Sequence, residues 1–152
     1  MFFSGRVSNM GQTTDEILTV AHAYAKAVRS KDVAQFGALY HDDVFVFDMW
    51  ESWSMRGRAA VEAMAKGWFA SLGTEQVAVT VAPLWSRVDG DRATFCATLR
   101  YAGLSAQGEE LRSMENRLTW SLIRENGKWQ VVHEHSSAPA SFKTMQVILS
   151  AP

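Results

Sequence analysis

The chain has 152 residues, of which 47% are hydrophobic and 20% are charged, a composition typical of one globular domain with a single core. Lys and Arg number 15 and Asp and Glu 16, and neither sign is concentrated in one segment, so a basic nucleic-acid-binding surface is not indicated. The single cysteine, Cys96, excludes an internal disulfide, and no apolar run approaches the roughly 18 residues of a membrane span. We expect a cytoplasmic protein with no nucleic-acid partner and no membrane partner.

The first elements of the chain are predicted to be helices. Residues 1–11 contain glycine and asparagine without periodicity, and we expect a loose leader there. The sequence Thr13-Thr14-Asp15-Glu16 is typical of a capping box, which predicts a helix that begins near Thr13 and ends near Ser30. Asp32 is a typical N-cap residue and predicts a second, shorter helix that extends to about Tyr40.

A short strand and a third helix are predicted next. Residues 44–47 are β-branched or aromatic and too few for a helix, which predicts a strand with Asp48 at its end. Apolar side chains recur at helical spacing over residues 58–72, and we expect Gly73 to end this third helix.

The remainder of the chain has strand patterns joined by hairpin turns. Asp89-Gly90-Asp91 and Asn126-Gly127 are typical of tight turns that need a positive φ. The order of elements predicts an α+β fold over residues 12–152, with three N-terminal helices packed on one curved, mainly antiparallel sheet. The predicted strands are residues 76–88, interrupted at Pro83, and residues 92–102, 113–125 and 128–137.

The last hairpin contains the most specific motif of the chain. Asn-Arg-Leu-Thr-Trp at 116–120 is followed by Arg-Glu-Asn-Gly-Lys-Trp at 124–129 and by Val-Val-His-Glu-His-Ser-Ser-Ala-Pro at 131–139. This pattern resembles the C-terminal signature of the SnoaL-like branch of the nuclear-transport-factor-2-like superfamily. It is also similar to the association domain of calcium/calmodulin-dependent protein kinase II. The resemblance implies a cone-shaped fold with a cavity between sheet and helices, and dimerisation through the sheet.

The predicted sheet is also expected to form a homodimer, because three helices can cover only one of its faces. The activity stays open, since this scaffold carries isomerases, cyclases, dehydratases, binding proteins and assembly domains. Six Trp, eight Phe and three Tyr could line an apolar pocket, although core packing is the ordinary role of such residues.

Two arginines lie within predicted strands, where a half-buried guanidinium needs an anion or carbonyl partners. The resemblance to the kinase association domain implies that Arg100 and Arg117 face the cavity, where they could hold a carboxylate. The alternative is that they pair with Glu115, Glu134 or Asp48 and order the sheet.

Asp48 is the candidate general base. It follows an apolar strand and precedes an aromatic loop, a setting in which a partly desolvated carboxylate can take part in proton transfer. Ketosteroid-isomerase-like members of the superfamily use a cavity aspartate in this way, and Asp48 lies in a comparable part of the chain. The alternative is that Asp48 caps a loop or pairs with Arg56 or Arg58.

The final strand offers two faces. Strict alternation places either His133 with His135, or Glu134 with Ser136, inside the cone, unless a bulge intervenes. His135 is a candidate proton shuttle or ligand donor, and structural, hydrogen-bonded histidines are the alternative. No third ligand accompanies the two histidines, so we predict no metal site and no cofactor.

These residues predict a pocket for a small organic ligand that bears a carbonyl or a carboxylate. An enzyme of this kind would be a cofactor-free acid/base isomerase, cyclase or dehydratase, with Asp48 and His135 as the candidate catalytic residues. The alternative is a non-catalytic ligand-binding or oligomerisation module. The candidate ligand-binding residues are Tyr24, Trp50, Arg100, Arg117 and Glu134.

Overall fold

The computed structural model describes residues 10–152, and side chains from residue 15 onward. It is an α+β fold with three helices and one open six-stranded sheet, which confirms the predicted class. The elements in chain order are α1 (Met10–Ser30), α2 (Val33–Gly37), β1 (Tyr40–Phe47), β2 (Met55–Arg56), α3 (Arg58–Ser71), β3 (Gln76–Asp89), β4 (Arg92–Leu104), β5 (Glu110–Glu125) and β6 (Lys128–Ser137).

The strands are arranged in the order β2-β1-β6-β5-β4-β3. Every neighbouring pair is antiparallel except β1 and β6, which run parallel, so the sheet is mixed but mainly antiparallel. The prediction of three N-terminal helices needs a correction, because α3 follows β1 and the unpredicted strand β2. Within residues 10–152, no helix is long and apolar enough to cross a bilayer.

The first helix includes Thr13, so the capping-box prediction is wrong in position. Met10 and Gly11 belong to α1 as well, and the rest of the predicted leader, residues 1–9, lies outside the described residues. Oε2 of Glu16 accepts a hydrogen bond from Trp129 Nε1 at 2.8 Å. That bond connects α1 to β6.

The second helix begins as predicted and ends sooner. Asp32 is its N-cap, and Oδ1 of Asp32 accepts a hydrogen bond from Gln35 N at 2.9 Å. The helix ends at Gly37, and Tyr40 is the first residue of β1, where it pairs with Val131 of β6.

The edge strand β3 continues through Pro83, where the sequence predicted a break. Proline lacks an N–H and is tolerated at sheet edges and at bulges. Pro83 meets both conditions, because β3 is an edge strand and its register with β4 shifts between Pro83 and Trp85. The two hairpin turns form as predicted, with Gly90 at φ 59° and Gly127 at φ 75°.

A β-bulge in β6 decides which side chains face the helices. Leu122 of β5 pairs with Val131, and Ser121 pairs with His133, so Val132 is an extra residue with no partner on β5. Trp129 and Val131 are buried before the bulge, and Glu134 and Ser136 are buried after it. His133 and His135 consequently lie on the opposite face of the sheet.

Aromatic side chains fill the space between the sheet and the helices. Phe36, Tyr40, Phe95 and Trp120 are each 1% exposed, and Tyr24 packs against Phe36 and Trp120. The interior of the fold is therefore a packed core.

The bulge predicts different effects for two deletions in β6. We expect deletion of Val132 to cost at most about 2 kcal/mol of unfolding free energy, because it restores a regular ladder and keeps Glu134 inside. Deletion of Gln130 should cost at least about 3 kcal/mol, because it forces Trp129 or Val131 out of the core. Urea unfolding followed by tryptophan fluorescence and circular dichroism measures both values, and equal losses would contradict the assignment of the bulge.

Candidate functional site

A cleft of about 540 Å³ lies where β1 and β6 end. Because these two strands run parallel, their C-terminal ends meet at the same edge of the sheet, and the segments that leave them form the walls. Residues 47–53, 135–138 and 147 line this cleft, which includes Asp48, Trp50 and His135. We refer to it as the Asp48 cleft.

Ser136 holds Asp48 and the start of the next loop in place. Its hydroxyl donates to Asp48 Oδ1 at 2.8 Å and accepts a hydrogen bond from Met49 N at 3.0 Å. Ser136 is buried, whereas Asp48 is half-buried on the cleft wall. Oδ2 of Asp48 has no hydrogen-bond partner among the described residues, so that oxygen is free to meet a ligand.

Glu134 lies behind this wall, buried among aromatic side chains and 8% exposed. Its Oε2 accepts hydrogen bonds from Tyr40 Oη at 2.7 Å and from Trp120 Nε1 at 2.6 Å. Burial raises the pKa of the Glu134 carboxyl to about 7; the hydrogen bonds from Trp120 and Tyr40 oppose this rise, and the charge of Asp48 adds to it. Glu134 is therefore a carboxyl group that exchanges its proton near neutral pH.

Two further tyrosines extend the buried polar groups. Tyr24 Oη and Tyr101 Oη lie 2.9 Å apart and share a hydrogen bond. Burial raises the pKa of both hydroxyls above the ordinary tyrosine value, so both carry their protons and can donate hydrogen bonds. Tyr24, a candidate ligand-binding residue, thus belongs to the interior and is not part of the cleft wall.

Asn116 joins the interior to the cleft. Its Nδ2 lies 3.5 Å from the sulfur of Met49, a cleft residue, and its Oδ1 is buried with no hydrogen-bond partner among the described residues. A buried carbonyl oxygen without a donor costs free energy, so Asn116 has an unused acceptor beside the site.

Both candidate arginines lie on the face of the sheet opposite the core. Arg100 hydrogen-bonds to Glu110 and, at 3.0 Å, to Ser113. Arg117 is exposed, between the buried residues Asn116 and Leu118 on β5. The predicted placement inside the cavity is wrong for both, and Arg100 pairs with a carboxylate other than those considered in the sequence.

The two histidines have different surroundings on that same face. His133 Nδ1 lies 2.7 Å from the carbonyl oxygen of Phe45 and its ring stacks on Phe45, an arrangement typical of a structural histidine. His135 is exposed beside Phe47 and lines the cleft. The cleft therefore unites Asp48, Trp50 and His135, and it leaves out Tyr24, Arg100, Arg117 and Glu134.

Sequence reasoning missed three buried residues that contact Glu134 or a wall residue of the cleft. Tyr40 was assigned to the end of α2, Trp120 to packing, and Asn116 to no role. Alternation along β5 places Asn116 and Trp120 on the same face as Leu118, a signal that was present in the sequence. Within residues 10–152, no three His, Cys, Asp or Glu side chains converge closely enough to hold a metal ion.

Comparison with known proteins agrees with this architecture. The family model of the SnoaL-like domain matches residues 17–141. An NTF2-like protein of unknown function from Pseudomonas putida KT2440 is 26% identical with a TM-score of 0.81, and the alignment covers 93% of this chain and 97% of that one.

Two more distant structures show the same fold. A putative calcium/calmodulin dependent protein kinase II association domain from Xanthomonas campestris is 16% identical, with a TM-score of 0.71 and coverage of 91% of this chain and 97% of that one. Aln2 from a Streptomyces species is 15% identical, with a TM-score of 0.76 and coverage of 85% and 92%. No curated protein matches the chain.

The contacts of Glu134 predict opposite effects for two substitutions. Tyr40→Phe removes a hydrogen bond to the carboxylate and should raise the pKa of Glu134 by about 1, since such a bond is worth about 1.5 kcal/mol or more. Asp48→Asn removes a nearby negative charge and should lower that pKa. Carbon-13 NMR titration of the glutamate carboxyls measures both, with the exposed residue changed in Asp43→Asn as the matched control. A pKa that does not fall in Asp48→Asn would show that the two carboxyl groups are not coupled.

Proposed function

The chain belongs to the SnoaL-like domain family, and from that premise we propose that it binds a small carbonyl-bearing molecule in the Asp48 cleft and transfers a proton on it without a cofactor. The observation that carries this proposal is the pairing of two carboxyl groups in different environments. Asp48 lies on the cleft wall with one oxygen free, and Glu134 lies behind it with a pKa of about 7.

Asp48 is the proton acceptor in this proposal. Its free Oδ2 would take a proton from the carbon next to the carbonyl, and the electron pair of the broken C–H bond would move onto the carbonyl oxygen. His135, on the same cleft, is the donor available to the resulting oxyanion. Return of the proton to another carbon completes an isomerisation, and loss of a neighbouring hydroxyl as water completes a dehydration.

Ser136 supports the role of Asp48 by its geometry. The hydroxyl of Ser136 donates a hydrogen bond to Oδ1 of Asp48 and accepts one from Met49 N. These two bonds fix the orientation of the Asp48 carboxylate relative to the cleft. A catalytic base held in this way loses little entropy when the substrate binds.

We propose a narrower class of substrate than the carbonyl- or carboxylate-bearing ligand expected from the sequence. A carboxylate-bearing ligand would need a cation in the site, but neither Arg100 nor Arg117 is among the residues that line the cleft. We therefore retain the carbonyl compound and no longer propose that these arginines bind a carboxylate.

A non-catalytic ligand-binding or assembly module is the second candidate function. It is favoured by the packed interior, where Phe36, Tyr40 and Trp120 occupy the space expected for a conical cavity. Glu134 is also absent from the walls of the Asp48 cleft, so a ligand in the cleft would not touch it directly. In this case the cleft binds a ligand, and no covalent bond of the ligand is made or broken.

We also propose a homodimer through the face of the sheet that bears His133 and His135. Within the described residues, the three helices pack on the other face. The central positions of this surface are Cys96, Thr119 and Arg117, with Trp85 nearer one edge. The proposed interface is thus largely polar.

Light scattering at micromolar concentration tests the homodimer. Thr119→Glu places a charge between Cys96 and His135 and should weaken the dimer at least about tenfold, because it brings like charges together across the interface. Thr74→Glu, at an exposed turn after α3, is the matched control and should leave the dimer intact. A wild-type monomer would contradict the proposed interface.

Proton transfer can be tested before the substrate is known. The wild type is incubated in D2O with a panel of ketones and lactones, and NMR measures the loss of protons next to the carbonyl. We expect Asp48→Asn to slow this exchange by about 10² to 10⁴, because asparagine keeps the size of the side chain but cannot accept a proton. Asp43 is an exposed aspartate on β1, five residues before Asp48, and the Asp43→Asn variant should exchange at the wild-type rate. Equal rates in all three proteins would exclude Asp48 as the base.

A further inference from the structure

The walls of the Asp48 cleft are unusually rich in exposed aromatic rings. Phe47 is 36% exposed, Trp50 44% and Trp53 97%, and all three line the cleft. Large aromatic side chains normally bury most of their surface, and a group of them around one opening is typical of a binding site.

The charged groups of the cleft are mainly of one sign. Asp48 and Glu51 are in its walls, together with the imidazole of His135, and among the described residues no Lys or Arg lines it. Arg117 pairs across the strands with Ser137, a wall residue, but its own side chain is exposed outside the cleft. An anion in this cleft would therefore meet two carboxylates, and no lysine or arginine, among the wall residues that the structure describes.

We propose that the Asp48 cleft selects a small organic cation, an ammonium group attached to an apolar body. The faces of aromatic rings carry partial negative charge and attract cations, most strongly for tryptophan. Trp50 and Trp53 supply such faces, and Glu51 supplies a full negative charge next to them. This inference rests on the proposed function, because it names the chemical class of ligand that the same cleft takes.

The two carboxylates of the cleft, Asp48 and Glu51, have different roles in this proposal because they lie at different positions. Asp48 is held by Ser136 at the end of β1 and is reserved for proton transfer. Glu51 follows three residues later on the same wall, between the two tryptophans, and is not needed for that step. A carbonyl compound with an ammonium group would thus have its cation held by Glu51 and the tryptophans, and its carbonyl directed towards Asp48.

Three probes of almost the same shape test this selectivity. Choline is the cation, 3,3-dimethylbutan-1-ol is its neutral counterpart with carbon in place of nitrogen, and 3,3-dimethylbutanoate is the anion. Each is titrated at pH 8 against the full chain, and the signals of the indole N–H groups of Trp50 and Trp53 report binding. We expect choline to bind about fivefold to tenfold more tightly than the alcohol, and the anion to bind most weakly.

A substitution identifies the source of the preference. Glu51→Gln should weaken choline binding about threefold or more and leave the neutral alcohol unaffected, because only a full charge is removed. Glu125→Gln, at the far end of β5, is the matched control and should change neither value.

The results separate this inference from the proposed function. If the alcohol or the anion binds as tightly as choline, the cation preference is wrong, while the cleft remains a ligand site. If no probe shifts the tryptophan signals, both the cation preference and ligand binding in this cleft are overturned. If deuterium exchange depends on Asp48 but the cleft shows no preference for choline, only the cation inference is overturned and the proposed proton transfer stands.

Discussion

The buried carboxyl of Glu134 is the interaction around which the sheet and its site are arranged. One oxygen atom of this β6 residue accepts hydrogen bonds from Tyr40, at the start of β1, and from Trp120, in the middle of β5. Burial raises its pKa from the ordinary value of 4.5 to about 7, so the folded chain binds this proton more tightly than the unfolded chain does. The associated stability is complete below about pH 4.5 and falls as the pH rises to 7, by about 3 kcal/mol in total.

The strand geometry that buries Glu134, and so lowers stability at neutral pH, also forms the cleft. The extra residue Val132 turns Glu134 and Ser136 towards the interior. The parallel pairing of β1 with β6 then places Asp48 beside Ser136, where the hydroxyl binds its carboxylate. One irregular residue therefore determines both which acid is buried and which acid reaches the ligand, and a regular strand would not combine them in this way.

Local chemistry made much of the fold predictable from the sequence. Asp32 caps α2 and Gly127 forms a hairpin turn, because both effects act within a few residues. The bulge at Val132 was not predictable, since it depends on how β5 and β6 align over many residues and Val-Val contains no local signal for it. Alternation relates Arg117 to its neighbours but does not say which face is buried. The resemblance to the kinase association domain then indicated the wrong face for this arginine.

The two carboxyl groups also connect the interior to whatever the cleft binds. The charge of Asp48 raises the pKa of Glu134, so a positive charge placed beside Asp48 must favour the ionised form of Glu134 by the same electrostatic coupling. Coupling of this kind is reciprocal, and ionisation of Glu134 therefore strengthens the binding of a cation. A packed core that holds one titrating acid can in this way adjust the affinity of a cleft that the acid does not touch.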